Sequence, residues 1–247
     1  MYKSRLKRIG CIFVLSAASC AIMAVSLSVW AVEATSSKED QKRAINAFER
    51  AASIYVELKR IGNAIEVYRV IIKEFPDNQR ALEAHYNIIY LMASEWKAYG
   101  SAVEECNKLI DKYPKSKHAV QARLLIGQFL YLDKEYPKAI EELDKFISEY
   151  PKDASTAEAY ILVALSYLEQ GKADRAIKKL QKFLKSFPSH KLAARAQYLI
   201  GHCYLVARKY IQARSEFQKV VDKYPDSPYA SRAKHLVTEY LSRPGSS

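Results

Sequence analysis

Histidine and cysteine are scarce in this sequence, and their positions exclude most site chemistry. The chain has five histidines and four cysteines. None of them forms a spacing typical of a metal site, such as C-x-x-C or a histidine paired with a carboxylate. The sequence also lacks a glycine-rich phosphate loop and a motif for a catalytic nucleophile. We therefore expect no metal, no cofactor and no enzymatic activity.

One long segment lacks charge altogether. Residues 9–32 contain no charged side chain, and they follow a leader with four basic residues and no acidic one. A basic leader before an apolar core is typical of a secretory signal, and this core is also long enough to span a bilayer. Because basic residues stay on the cytoplasmic side of a membrane, we expect the rest of the chain outside the cytoplasm. The protein is then periplasmic, either soluble or tethered by this segment.

Three fates of residues 1–34 stay open on the sequence alone. Small residues near Ala31 and Ala34 suit cleavage by a signal peptidase. An uncleaved segment would instead act as a membrane anchor. The run from Leu15 to Cys20 resembles a bacterial lipobox, with alanine at position 17 in place of the usual leucine, so lipidation at Cys20 is the third alternative.

Proline is rare as well, yet five of the eight prolines recur at a nearly constant interval. Each follows an aromatic residue, and the intervals between them are 38, 37, 37 and 37 residues. Alanine recurs twelve residues before each of these prolines and eight residues after it. A period of 20–50 residues is the signature of a solenoid, and alanines held in register mark close approaches of helices. The five pairs are Phe75-Pro76, Tyr113-Pro114, Tyr150-Pro151, Phe187-Pro188 and Tyr224-Pro225.

Each repeat reads as two helices. Apolar residues keep helical spacing in two stretches between Ala119 and Tyr150, on either side of a turn segment at 133–137. The aromatic-proline pair ends the second helix, because proline disfavours helical geometry in the residue before it. Two residues after each proline stands a strong N-cap for the next first helix, with His190 as the exception. The caps are Asn78, Ser116, Asp153 and Ser227.

The positions of glycine and cysteine within the repeat predict what these residues do. We expect flexible turns between paired helices at Gly62, Gly100 and Gly171, and close packing of the two helices at Gly127 and Gly201. Cys106 and Cys203 are 97 residues apart, more than two repeats. Residues so far apart in a solenoid do not touch, so we predict two separate buried thiols.

These features resemble the tetratricopeptide repeat (TPR). Glycine lies 24 residues before two of the prolines, alanine lies twelve before all five, and aromatic residues fill the matching helix positions. The resemblance covers residues 40–242. It implies an all-α fold, a right-handed superhelical solenoid of about five TPR helix pairs with a C-terminal cap helix. The aromatic residues are Tyr55, Tyr167 and Tyr204 in first helices and Phe217 in a second helix.

The long period and the leading signal narrow the resemblance to envelope TPR proteins of Gram-negative bacteria, of the BamD and CpoB (YbgF) types. This implies a scaffold in outer-membrane protein assembly or envelope maintenance. The expected organisation is a signal peptide or anchor at 1–34, a short linker at 35–41, five TPR units at 42–226, a solvating cap helix at 227–242 and a tail at 243–247.

The TPR resemblance implies that first helices line a concave groove. Its exposed positions would hold a protein or peptide partner, and tyrosine suits this role because it offers a large contact area at low entropic cost. The alternative is that several of these tyrosines only seal contacts between repeats. The groove positions are Glu83, Tyr86 and Tyr90, then Gln121, Gln128 and Tyr131, then Arg195, Tyr198 and His202.

Basic residues are concentrated in the fourth repeat. The chain carries a net charge of +12, and between residues 172 and 195 the only acid is Asp174. This patch suggests a second function, a structural protein that docks on anionic lipid or cell-wall polymer; the alternative is a solvated helix face. Nucleic acid is excluded as a partner by the expected compartment. The patch comprises Lys172, Arg175, Lys178, Lys179, Lys182 and Lys185.

The leader makes a direct prediction about export. A fusion of residues 1–40 to a reporter that is active only outside the cytoplasm should be active, because the basic leader and the apolar run direct translocation. A reporter retained in the cytoplasm would overturn the compartment. Mass spectrometry of the native N-terminus then distinguishes cleavage, anchoring and lipidation at Cys20.

Overall fold

The computed structural model describes residues 37–240, so the signal segment, Cys20 and the tail at 243–247 fall outside the described residues. All regular structure in the described part is helical. These residues form two compact units, with the boundary between Ala98 and Tyr99. No helix within 37–240 combines the length and the apolar character that crossing a membrane requires.

The unit that ends at Ala98 contains three helices between residues 37 and 98, and the second packs against the first and the third. The first helix begins at Lys38 because the hydroxyl of Ser37 accepts a hydrogen bond from the backbone N–H of Asp40. This start lies inside the segment 35–41, so the expected linker is shorter than the sequence suggested. The helices are α1 (Lys38–Glu57), α2 (Ile61–Glu74) and α3 (Gln79–Ser94).

The unit that begins at Tyr99 contains eight helices in its described part. Each packs against the next along the chain, and α5 also packs against α7. The alternation of first and second helices is therefore the one that the period predicts. The helices are α4 (Tyr99–Lys112), α5 (Lys117–Leu132), α6 (Tyr136–Glu149), α7 (Thr156–Glu169), α8 (Ala173–Ser186), α9 (Ala193–Val206), α10 (Tyr210–Lys223) and α11 (Pro228–His235), with a π-helical turn at Leu236–Tyr240.

The turn between first and second helices differs from the expectation. Gly171 does adopt a left-handed conformation, with φ of 71°, but Gly62 and Gly100 lie in the first turns of α2 and α4. The left-handed residue at those turns is a lysine that stands three residues earlier. Backbone hydrogen bonds close these turns. In the turn at Lys134, the N–H of Lys134 donates to the carbonyl of Tyr131 and the N–H of Glu135 donates to the carbonyl of Leu130. These bonds satisfy carbonyls at the end of the first helix. The non-glycine residues with positive φ are Lys59, Lys97, Lys134 and Arg208.

Two of the four predicted N-caps form the expected bond. Asn78 and Ser116 accept backbone N–H bonds at the starts of α3 and α5. Ser227 is the N-cap of α11, but its side chain makes no cap bond.

The prediction of Asp153 as an N-cap is wrong. Ser155 is the N-cap of α7, and Asp153 Oδ1 accepts from the N–H of Ser155 in the turn before that helix. His190 is the exception that the sequence suggested, because the N-cap of α9 is Leu192. In the turn before α9, His190 Nδ1 accepts from the N–H of Leu192.

The helix pairs are held together where small residues let two backbones approach. The alanine twelve residues before each repeat proline is fully buried at every position, from Ala64 to Ala213. Glycine at 127 and 201 has the packing role that the sequence predicted. A Cβ atom at Gly127 would collide with the Leu143 side chain, and one at Gly201 would lie 2.7 Å from Phe217 Cε1.

The C-terminal helix α11 covers the last helix pair. Ala233 and Val237 pack with Ala213, Phe217 and Val220 in one apolar cluster. Arg232, Lys234 and His235 are exposed on the opposite side. An apolar inner side and a polar outer side are what a capping helix requires.

The glycine contacts predict opposite effects for two similar substitutions. Gly127→Ala should lower the free energy of unfolding by roughly 1–3 kcal/mol, because the new methyl group overpacks against Leu143. Gly100→Ala is the matched control: nothing lies within 4 Å of its Cβ position, so it should raise stability by about 0.5–1 kcal/mol through better helix propensity. Urea denaturation measures both, and equal midpoints would contradict the close packing.

Candidate functional site

Side chains of three first helices meet on one face of the unit that begins at Tyr99. Gln128 Nε2 on α5 donates a hydrogen bond of 3.2 Å to Glu158 Oε1 on α7. Tyr131 lies half-buried at the end of α5, with its ring 5.7 Å from that of Tyr136. Burial raises the pKa of Tyr131, Glu169 of α7 raises it further, and Arg195 of α9 lowers it. This face therefore brings together Gln128, Tyr131 and Arg195.

Glu158 and Glu169 are contributors that the sequence analysis missed. The signal for Glu158 was available, because it lies 37 residues after Gln121 and 37 residues before Arg195. No position of the fourth repeat had been mapped to the groove. With Glu158 and Arg195 at equivalent positions, the face presents a carboxylate on one helix and a guanidinium on the next.

Tyr198 has a different environment from Tyr131. Its ring centroid lies 5.2 Å from that of Phe217 and 5.4 Å from that of Tyr229, so it packs where α9, α10 and α11 meet. This geometry supports the sealing role that the sequence left open for the tyrosines. Of the other predicted groove residues, Gln121 on α5 is exposed and His202 on α9 is half-buried.

The unit that ends at Ala98 has its own polar face. Arg80 bonds Glu49 at 3.0 Å and Asn46 at 3.3 Å on α1, and it pairs with Glu83 at 3.5 Å. Burial raises the pKa of Glu49, and the Arg80 guanidinium opposes that shift. A depression of about 590 Å³ runs along this part of α1. Asn46, Glu49 and Arg80 were not among the groove positions predicted from the sequence, because the predicted set includes no residue of α1 and begins at Glu83 in α3.

The two groove tyrosines of α3 differ in exposure. Tyr90 is 64% exposed, more than any other aromatic side chain whose burial the structure describes. Tyr86 is half-buried. Tyr90 is thus the α3 aromatic that is open to a partner, while much of Tyr86 is covered by the fold.

The basic patch divides into engaged and free side chains. Lys179 Nζ lies 2.6 Å from Asp144 Oδ1 and 5.5 Å from the centre of the Tyr160 ring, and its side chain is only 17% exposed. Its role is therefore packing between repeats. Lys172 donates to Gln170 at 2.5 Å, and Arg175 lies 5.9 Å from the Tyr167 ring. Lys178, Lys182 and Lys185 are exposed.

The two thiols are buried and unpaired, as the period predicted. Cys106 and Cys203 are free cysteines with at most 1% exposure. Burial raises the pKa of each thiol to about 12, and the neighbouring Glu105 adds to the effect at Cys106. Both therefore stay protonated at neutral pH, which makes them poor nucleophiles and poor metal ligands.

The fold and these surfaces define a TPR scaffold. Residues 46–78 match a tetratricopeptide repeat family, in agreement with the helix pairs. The chain belongs to the outer membrane lipoprotein family YfiO, whose match covers residues 92–242, more than half of the sequence. This family corresponds to the BamD type of the two envelope types that the sequence resembled.

Solved structures confirm the fold. MamA from Desulfovibrio magneticus RS-1 is 19% identical with a TM-score of 0.56, over 74% of this chain and 97% of that one. YrrB, described as a TPR protein with an unusual peptide-binding site, is 18% identical with a TM-score of 0.54, over 79% of this chain and 98% of that one. The apo form of RapI is 16% identical with a TM-score of 0.64, over 86% and 62%. No curated protein matches the sequence.

The raised thiol pKa values predict how stability depends on pH. In the unfolded chain the thiols ionise near pH 9, while in the native state both have a pKa of about 12. The native state therefore holds more protons above pH 9, and stability should fall as the pH rises from 9 towards 12. Urea denaturation at pH 7.5 and 10.5 measures this loss. Cys106→Ala with Cys203→Ala should make it smaller, and an unchanged loss would contradict the pKa shifts.

Proposed function

We propose that the protein is a non-catalytic adaptor of the bacterial envelope that binds a protein or peptide partner on the first-helix face of α5, α7 and α9. The observation that carries this proposal is the contact of Gln128 with Glu158 beside Tyr131, Glu169 and Arg195. The face offers hydrogen-bond donors and acceptors, both signs of charge and an aromatic ring. These groups suit an extended peptide, which presents backbone amides and alternating side chains.

The envelope location rests on family membership. The matched family consists of outer membrane lipoproteins, and the chain begins with the basic leader and apolar run of an exported protein. Lipidation at Cys20 would supply the anchor that such a family requires. Within this location, the adaptor would serve outer-membrane protein assembly or envelope maintenance.

Arg195 and Glu158 give the proposed surface its selectivity. A peptide with an acidic group near α9 and a basic group near α7 would pair with both, while the opposite arrangement would place like charges together. Juxtaposed like charges are strongly unfavourable where water is excluded. The surface should therefore bind a charged peptide in one orientation along the face more tightly than in the reverse orientation.

Site-specific photo-crosslinking in the intact envelope tests this proposal. A photoreactive residue at Gln121 or Gln128 should capture the same partner, because both positions lie on the face of α5. The matched control is Ser215, which is exposed on the second helix α10 and should capture none of it. Tyr131→Ala should reduce capture at Gln128 by about tenfold, as expected for loss of an aromatic anchor. Capture at Ser215 alone would overturn the proposal.

A further inference from the structure

The exposed side of α8 carries a charge that its neighbours in the array do not share. Lys178, Lys182 and Lys185 all lie on this side and are exposed. The residues 37 positions earlier, on α6, are Glu141, Lys145 and Ser148, and those 37 positions later, on α10, are Ser215, Lys219 and Asp222. Among these three helices, the lysine at the middle position recurs in every case, while the lysines at the other two positions are found only on α8.

The recurring lysine is paired with an acid on α4 and α10 but not on α6 or α8. Lys108 lies 3.2 Å from Glu105, and Lys219 lies 2.6 Å from Glu216, in both cases an acid three residues earlier. Lys145 of α6 also follows an acid, Glu142, by three residues. The residue three positions before Lys182 is Lys179.

Lys179 is a cation and cannot neutralise Lys182, and the acid nearest to Lys179 is already paired. Its ammonium group pairs with Asp144 of α6 at 2.6 Å, so that carboxylate is already engaged. Within residues 37–240, neither Lys178, Lys182 nor Lys185 has an ion-pair partner. The only acid of α8, Asp174, pairs with Lys209 at 3.3 Å.

Helix stability does not account for this arrangement. A cation in the last turn interacts favourably with the helix dipole, which explains Lys185. Lys178 and Lys182 stand in the middle of the helix, where the dipole gives no such benefit, and like charges four residues apart weaken a helix. The three lysines span about 10 Å along the axis at 1.5 Å per residue. An anion bound along this row would offset the repulsion between the lysines.

We propose that this lysine stripe docks the protein on the anionic head groups of a phospholipid bilayer. Two observations favour a bilayer over an acidic protein. The chain belongs to a family of outer membrane lipoproteins, and proteins of this kind are held next to a lipid surface. Ile211, at the start of α10, is 75% exposed, and the Lys209–Asp174 pair joins that helix start to the first turn of α8, one turn before Lys178. An exposed apolar side chain at one end of a basic helix face suits the boundary between head groups and acyl chains.

This contact would add a second attachment to an N-terminal anchor. An N-terminal anchor holds the chain at the membrane, and a basic patch would in addition orient the helical array against the lipid surface. Each lysine near an anionic surface strengthens binding by about fivefold. The inference rests on the proposed envelope location but not on the partner face of α5, α7 and α9.

Chemical footprinting of the full-length chain in vesicles tests the proposal. An amine-acetylating reagent is applied to protein in vesicles of phosphatidylcholine alone or with about a third of phosphatidylglycerol, and mass spectrometry gives the rate at each lysine. Lys178, Lys182 and Lys185 should react at least threefold more slowly in the anionic vesicles, and high salt should abolish this protection because it screens the charges. Lys145 and Lys223, exposed on α6 and α10, serve as internal controls.

Substitutions separate the stripe from general charge. Lys182→Gln should weaken binding to the anionic vesicles by about fivefold and return the rates at Lys178 and Lys185 towards those in neutral vesicles. Lys145→Gln removes the same charge from α6 and should leave the protection of all three lysines unchanged. Equal rates in both vesicles, or equal slowing at every lysine, would overturn the proposal. Protection that appears only with envelope protein added would overturn it in favour of an acidic protein partner. Photo-crosslinking at Gln128 in the Lys182→Gln variant tests the adaptor function independently, because it should be unaffected.

Discussion

The close approach of paired helices is the contact on which the rest of the structure depends. Where Gly127 faces Leu143 and Gly201 faces Phe217, no other residue fits without displacement of the opposing side chain. The buried alanines of the pairs that pack within one unit, Ala64, Ala139, Ala176 and Ala213, apply the same constraint. Because the interior is filled by these small residues and their large partners, functional groups are placed on the outer surfaces of the first and second helices.

Inside the helix pairs, one position carries a different polar contact in successive repeats. Tyr160 lies 5.5 Å from the ammonium group of Lys179. At the equivalent position 37 residues later, Gln197 donates a hydrogen bond to Glu216. A pair shifted by one repeat would set Lys179 against Gln197 or Tyr160 against Glu216. A buried polar group left without its partner is costly, so these contacts favour the pairing of each first helix with its own second helix.

Much of the fold could be predicted from the sequence because the repeat constrains many positions at once. The proline period located the helix ends, and the alanines and the two glycines marked the close contacts. The turn residues were harder to predict, since Lys59 and Lys97 adopt a conformation usually reserved for glycine and are held there by hydrogen bonds that composition does not show. For the sites, the exposed lysines of α8 were predictable from helical spacing. The engagement of Lys179 was not, because its partner Asp144 lies 35 residues away on another helix.

The isolated thiols have a mechanical consequence. Cys106 and Cys203 do not bond to each other, so no disulfide joins one described repeat to the next. Within the unit that begins at Tyr99, each helix pair is then held to its neighbours by noncovalent contacts alone, and in such arrays the ends can open while the middle stays folded. A pull on this unit would open its helix pairs without breaking a covalent bond, and release would let them close again without any redox chemistry.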